Sequence, residues 1–168
     1  MVIRAAETKD LENIADLYVR NHKSTYRGLL SDDYLDALTT ASARAKWEEK
    51  MSAKDARLLV AEREGEFLGF AAVMPDPELE QTLYLESLHV AESARGKGVG
   101  TALIRACAQL AEKDGFQKMS VCIVRGNHSA GDLYRRLGAE HHSFFEDDFG
   151  GTVSSSEKLV WSRLPTEA

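Results

Sequence analysis

Arg95-Gly96-Lys97-Gly98-Val99-Gly100-Thr101 joins three glycines at alternate positions to two basic side chains, between a strand-like run ending at Val90 and a helix-like run continuing to Lys113. Glycines leave the backbone free of Cβ atoms, so several N–H groups can turn toward one polyanion. The helix that follows adds its unpaired N–H groups and the positive end of its dipole. In a chain of net charge −6 this local basic spot reads as a pocket for pyrophosphate. Other glycine-rich motifs fit less well. Thr101 and Ala102 stand where a dinucleotide fold wants its third glycine, and no strand-end acid follows at the expected distance. A P-loop places its lysine after the second glycine, whereas Lys97 lies between the first two. A flexible connector explains neither the two basic residues nor the abrupt helix onset.

A second segment, Asn127-His128-Ser129-Ala130-Gly131-Asp132-Leu133-Tyr134-Arg135-Arg136-Leu137-Gly138, also sits at a helix start. Arg95, Gly98 and Gly100 match the pattern Gln/Arg-x-x-Gly-x-Gly/Ala. The later segment matches Asn-x-x-Ala-x-x-Leu-Tyr-x-x-x-Gly. On these two segments the chain resembles the GNAT family of N-acetyltransferases over nearly its whole length. The resemblance implies an α+β fold: a central mixed, mostly antiparallel sheet with helices on both faces. It implies acetyl-CoA as a cosubstrate, no metal, and direct attack by a primary amine in a ternary complex. The implied cofactor contacts are Leu88, His89 and Val90 along a strand, Arg95, Gly96, Lys97, Gly98, Val99, Gly100 and Thr101 in the loop, and Asn127 and Tyr134. The backbone N–H groups near Leu88 to Val90 would polarise the thioester carbonyl, and the Tyr134 hydroxyl would protonate the leaving thiolate.

Transfer from a thioester to an amine needs a held donor, a neutral amine, a stabilised oxyanion and a proton for the thiolate. Glu86 is the candidate base, either directly or through water, and partial burial would raise its pKa toward neutrality. A solvent-facing strand acid is the plainer account. His89 is a second candidate base or simply a packed strand histidine. Tyr134 shares a helical face with Ala130, Leu133 and Leu137, so periodicity alone also describes a core aromatic. Glu146, Asp147 and Asp148 form an acidic cluster that either attracts an ammonium substrate or is a solvated turn. Ser129 lacks the Gly-x-Ser-x-Gly spacing of a nucleophilic serine. His141 and His142 would point to opposite sides of a strand and make no paired metal site.

The elements that must position these residues follow from periodicity. Val2 to Ala5 reads as a strand, and Thr8 or Asp10 caps a helix with Leu11, Ile14, Ala15, Leu17 and Tyr18 on one face. Ser31-Asp32-Asp33 starts a second helix, and Ser42 to Met51 a third with Trp47 and Met51 on one side. Leu58 to Arg63 and Phe67 to Met74 form a hairpin about Glu64-Gly65-Glu66. Along Thr82 to Val90 the apolar positions switch from odd (Leu83, Leu85) to even (Leu88, Val90) at Glu86 and Ser87, the phase shift of a β-bulge. After the helix ending at Asp114-Gly115, the apolar run Lys118 to Val124 suits a buried strand parallel to its predecessor. Ala139 to Phe145 and Lys158 to Leu164 read as a closing hairpin around a polar loop from Glu146 to Ser156.

The chain has 168 residues, 43% of them hydrophobic and 29% charged, which fits one domain, 1–168, with a loose tail at 165–168. It shows no membrane-spanning run and no signal-peptide core, so a cytoplasmic location is expected. Cys107 and Cys122 are expected to be free, buried thiols, which leaves no nucleophile for a ping-pong route. Excess acid, 27 Asp and Glu against 21 Lys and Arg, argues against a nucleic-acid partner and mildly favours cationic ones. The family often forms homodimers, and a sheet edge near the C-terminal hairpin would serve. Thr25 to Leu30 with Asp33-Tyr34-Leu35 resembles small-molecule members. A protein N-terminus or lysine as acceptor, or a non-catalytic acyl-CoA sensor on the same fold, stays open.

Overall fold

The structure, a computed structural model, describes residues 1–149 and 151–167. Its strands are β1 (Val2–Ala5), β2 (Arg57–Arg63), β3 (Glu66–Pro75), β4 (Thr82–Val90), β5 (Lys118–Val124), β6 (Glu140–Phe149) and β7 (Thr152–Trp161). The helices are α1 (Leu11–Tyr26), α2 (Asp32–Asp36), α3 (Thr40–Ser52), α4 (Val99–Lys113) and α5 (His128–Arg136). The strands form one sheet in the order β1-β2-β3-β4-β5-β7-β6, as the mixed fold implies. Of its neighbouring pairs, β4 and β5 alone run parallel.

Local chemistry starts α2 where the sequence places it and α3 two residues before Ser42, whereas Asp10 does not cap α1, because its carboxylate accepts from the Glu7 N–H and from Arg4. Ser31 caps α2 by accepting from the Tyr34 N–H at 3.2 Å, and Thr39 caps α3 by accepting from the Ser42 N–H at 3.1 Å. The stripe of α1 and the Trp47 side of α3 cover Leu58, Val60, Phe70 and Ala72 on one face of the sheet. On the other face Leu103, Ile104, Cys107 and Ala111 of α4 pack with Leu85, Met119, Val121 and Trp161. Both faces are thus sealed by amphipathic helices, and the site must open at an edge or a gap.

The gap lies between β4 and β5. Their pairing runs only from Thr82↔Lys118 to Leu85↔Val121, although β4 continues to Val90 and β5 to Val124. At that point the β3–β4 register passes from Val73↔Leu85 to Ala72↔Ser87, leaving Glu86 as the extra residue of a bulge. Leu83 and Leu85 before the bulge, and Leu88 and Val90 after it, all belong to the α4-side core. The bulge keeps the apolar face constant while bending β4 away from its parallel neighbour.

Two expectations are corrected. The segment from Glu146 to Ser156 is not a loop: β6 and β7 pair as far as Phe149↔Thr152, so the acidic cluster lies within a strand. An outer strand with solvent against much of its surface carries polar residues at nearly every position, which imitates a loop. Cys107 is buried, but Cys122 is only half-buried. At the C-terminus Leu164 packs on the α4-side core and the Thr166 N–H donates to the Leu164 carbonyl, while Ala168 lies outside the described residues.

Candidate active site

The wedge between β4 and β5 is part of one cavity of about 1110 Å³. At one end lies the glycine loop. Gly96 (φ 74°) and Gly98 (φ 84°) are left-handed, a conformation in which other residues carry steric strain. Gly98 is the N-cap of α4 and offers no side chain to the helix, so first-turn N–H groups are left for a ligand. A Cβ on Gly100 would approach Leu133 Cδ2 at 3.3 Å, so this glycine lets α4 and α5 pack closely beside the wedge. Arg95 does not hang free: its Nη2 donates to Asn21 Oδ1 at 2.8 Å and its Nε lies 3.4 Å from the Val90 carbonyl oxygen. Asn21, buried on α1, therefore ties the loop to the end of β4.

At the bulge, the Glu86 carboxylate forms an ion pair with Lys50 of α3 at 3.1 Å. Across the wedge Tyr134 of α5 stands edge-on to Trp161, 5.8 Å between ring centroids. Burial, with the Tyr26 hydroxyl nearby, raises the Tyr134 pKa well above that of an ordinary tyrosine, so the phenol holds its proton. Asn127, the residue before α5, lies against the Tyr26 hydroxyl. Cys122 faces the cavity next to Tyr84, and burial raises the pKa of its thiol, the opposite of an activated thiolate.

The α1–α3 wall supplies residues that the sequence did not flag as site residues, apart from Tyr26 of the Thr25 to Leu30 segment. Tyr18, His22, Tyr26 and Lys46 line the same cavity, with Asp147 and Phe149 of β6 opposite. Lys46 Nζ donates to the Tyr18 hydroxyl at 3.1 Å. His89 stacks on Phe70 and meets Tyr18 edge-on. Burial, with His22, Lys46 and Arg95 nearby, lowers its pKa to about 3, and burial lowers that of His22 to about 4. Both rings are neutral near pH 7. The expectation of a packed strand histidine fits His89 better than that of a base. Tyr18 was legible only as part of the apolar stripe of α1, and Lys46 as one charge on a weakly patterned helix. No sequence signal pairs them.

Of the candidate residues named from the sequence, Glu86, Leu88, His89, Val90, Arg95, Gly96, Gly98, Val99, Gly100, Thr101, Asn127 and Tyr134 line this one cavity; Lys97 does not. Asp147 of the acidic cluster reaches it, and Glu146 and Asp148 do not. His141 pairs with Glu157 at 2.7 Å, away from the cavity.

The profile of the Acetyltransferase (GNAT) family matches residues 14–139. The uncharacterized N-acetyltransferase YhfO of Bacillus subtilis (strain 168) is 29% identical over 148 residues, covering 86% of this chain and 93% of that protein. Streptothricin acetyltransferase of Streptomyces lavendulae is 32% identical over 112 residues, covering 66% of this chain and 59% of that protein. The structure of yncA from Salmonella typhimurium with its cofactor acetyl-CoA superposes with a TM-score of 0.73 at 22% identity, covering 95% of this chain and 92% of that one. Among the described residues no helix is long and apolar enough to cross a membrane.

Proposed function

Since the chain belongs to the acetyltransferase (GNAT) family, we propose that its cavity takes acetyl-CoA as donor and a small primary amine as acceptor, and transfers the acetyl group directly between them. The observation that carries this reading is the wedge. A sheet gap that begins at Leu85 and Val121 runs past Glu86 and Tyr134 and ends on a left-handed glycine loop at a helix N-terminus. The loop and the first turn of α4 fit a pyrophosphate. The edge of β4 that faces the wedge, from Ser87 to Val90, has no strand partner there and fits an extended amide-bearing arm. N–H groups near Leu88 to Val90 are the candidates to polarise the thioester carbonyl.

In the reaction the amine lone pair attacks the thioester carbonyl carbon, and a C–N bond forms. Collapse of the adduct breaks the C–S bond. The nitrogen loses one proton, toward Glu86 or a water beside it, and the thiolate gains one from the Tyr134 hydroxyl. The products are an N-acetyl amide and coenzyme A, and no acyl-enzyme is formed. The raised thiol pKa of Cys122 supports that route over a ping-pong one. Lys50 holds the Glu86 carboxylate toward α3, so release of that ion pair accompanies any role as base.

Thermal unfolding with and without acetyl-CoA tests the donor. Gly98→Trp adds bulk in the loop, where a Cβ has no neighbour within 4 Å. A saturable rise of several degrees is expected for wild type at about a hundredfold excess over Kd, and its loss in the folded variant. Absence of both a shift and calorimetric heat in wild type would overturn the reading.

A further inference from the structure

The cavity holds an ammonium that lacks a counter-ion. Lys46 is half-buried on α3, its Nζ donates to the Tyr18 hydroxyl at 3.1 Å, and it stands 4.6 Å and 4.9 Å from the ring centroids of Tyr18 and Trp47. Among the described residues it has no carboxylate within ion-pair distance, whereas Lys50, one turn further along α3, is neutralised by Glu86. Aromatic faces and one hydroxyl compensate only part of the hydration that a buried ammonium gives up, and Lys46 has donors to spare. Burial accordingly disfavours its charged form, with Glu86 nearby acting against that effect.

A solvent-exposed carboxylate on β6 shares the same cavity. It belongs to Asp147 and, among the described residues, has no cationic partner; its Oδ1 accepts only from the Asp148 N–H at 3.0 Å. The neighbouring histidines supply no charge near pH 7, since both are held neutral by burial. The acceptor side of the cavity therefore presents one unpaired cation on α3 and one unpaired carboxylate on β6. Lys46 lies on α3 within electrostatic reach of Glu86, whereas the glycine loop has Arg95 and the first-turn N–H groups of α4 for a pyrophosphate.

We propose that the acceptor is zwitterionic, an amine of the free amino acid class whose carboxylate docks on Lys46 and the Tyr18 hydroxyl while its amine lies on the Glu86 and Asp147 side. This rests on the reading of the cavity as the acetyl-transfer site. A polyamine would place a second ammonium against Lys46 and is disfavoured by like-charge repulsion. A carboxylate there gains a charge-assisted hydrogen bond in a partly dry site.

Matched pairs test this directly. Coenzyme A release from acetyl-CoA is followed with leucine, methionine, phenylalanine and lysine, with the carboxamide of each, and with spermidine. The amide's amine is the weaker base and the more abundant free nucleophile at neutral pH, so protonation alone favours the amide. The expected result is that the best acid exceeds its amide by at least about tenfold in kcat/KM, that Lys46→Gln brings the two within about threefold, and that Lys46→Arg keeps the preference. Calorimetric titration of the best amino acid into the enzyme–coenzyme A complex should weaken by about tenfold in Lys46→Gln, with circular dichroism and acetyl-CoA affinity unchanged. Equal use of acid and amide, preference for spermidine, or an unaltered ratio in Lys46→Gln overturns the proposal while leaving the acetyl-transfer reading standing. So does binding of acetyl-CoA without thiol release for any of the carboxylates. Failure of wild type to bind acetyl-CoA removes both.

Discussion

Tyr134 illustrates what a single residue can carry and how it is recognised. Its helical spacing describes a core aromatic, and it is indeed 6% exposed and packed on Trp161. An ordinary phenol is already protonated near pH 7, and burial raises the pKa of this one further, so the hydroxyl carries the proton a general acid must give and releases it only to a strongly basic leaving thiolate. Tyr134→Phe keeps the ring in place and is expected to lower kcat by about 10²-fold or more, with acetyl-CoA affinity changed by less than about threefold. Thiol-release kinetics with calorimetry measures both, and unchanged turnover removes the acid role. Tyr134 was legible because a flanking asparagine, alanine, leucine and glycine frame it at fixed spacing. Tyr18 and Lys46 were not, because their significance lies in a contact between two helices 28 residues apart in sequence. The Glu86–Lys50 ion pair was hidden for the same reason, although Glu86 itself was marked by the parity change around it.

At the scale of elements, the legible features are those that a single segment encodes. The bulge of β4 shows in one strand's own hydrophobic phase, and the left-handed loop shows in its glycines. The hairpin of β6 and β7 showed only at its base, and its extension through Glu146 to Ser156 did not. Much of the β6 surface faces solvent, so no apolar alternation marks it, and its polar residues resemble a loop until the Phe149↔Thr152 pairing is seen. The join between α1 and the glycine loop was equally invisible, because it depends on Asn21. One side of this amide accepts from Arg95, and its Nδ2 lies 3.3 Å from both the Val90 carbonyl oxygen and His89 Nδ1. Asn21→Leu frees Arg95 and leaves the end of β4 without this contact. It is expected to weaken coenzyme A binding by about tenfold, whereas Asn21→Asp, which still accepts from Arg95, retains most of the affinity. Calorimetry with both variants decides this, and wild-type affinity in Asn21→Leu would show that Arg95 is positioned without α1.

Across the whole molecule, the wedge can stay open at one end only if the sheet is held shut at the other. There Asp76, in the turn that leads from β3 to β4, is buried with Lys158 of β7 at 2.8 Å and Ser120 of β5 donating to it at 2.5 Å. The N–H groups of Glu78 and Leu79 donate to its other oxygen. One carboxylate thus joins the β3–β4 turn to β5 and β7 next to the paired stretch of β4 and β5. Burial disfavours its charge, but Lys158, Ser120 and the two N–H groups outweigh burial and depress its pKa to about 2. A depressed carboxylate contributes stability that is complete above its unfolded value near 4 and is lost as pH falls toward 2. Wild type is expected to lose about 2 kcal/mol more than Asp76→Asn across that interval, measured by urea unfolding at each pH. At pH 7 Lys158→Met leaves the carboxylate buried without its cation and should cost about 3–5 kcal/mol, whereas Asp76→Leu with Lys158→Met should cost less than the single change. If the double variant is as unstable as Lys158→Met alone, the lock is packing and not charge. Lys158 and Ser120 stand beside Cys122 and Tyr84 of the cavity wall, but the network makes no hydrogen bond to the glycine loop, so acetyl-CoA affinity in the folded double variant should stay within about threefold of wild type.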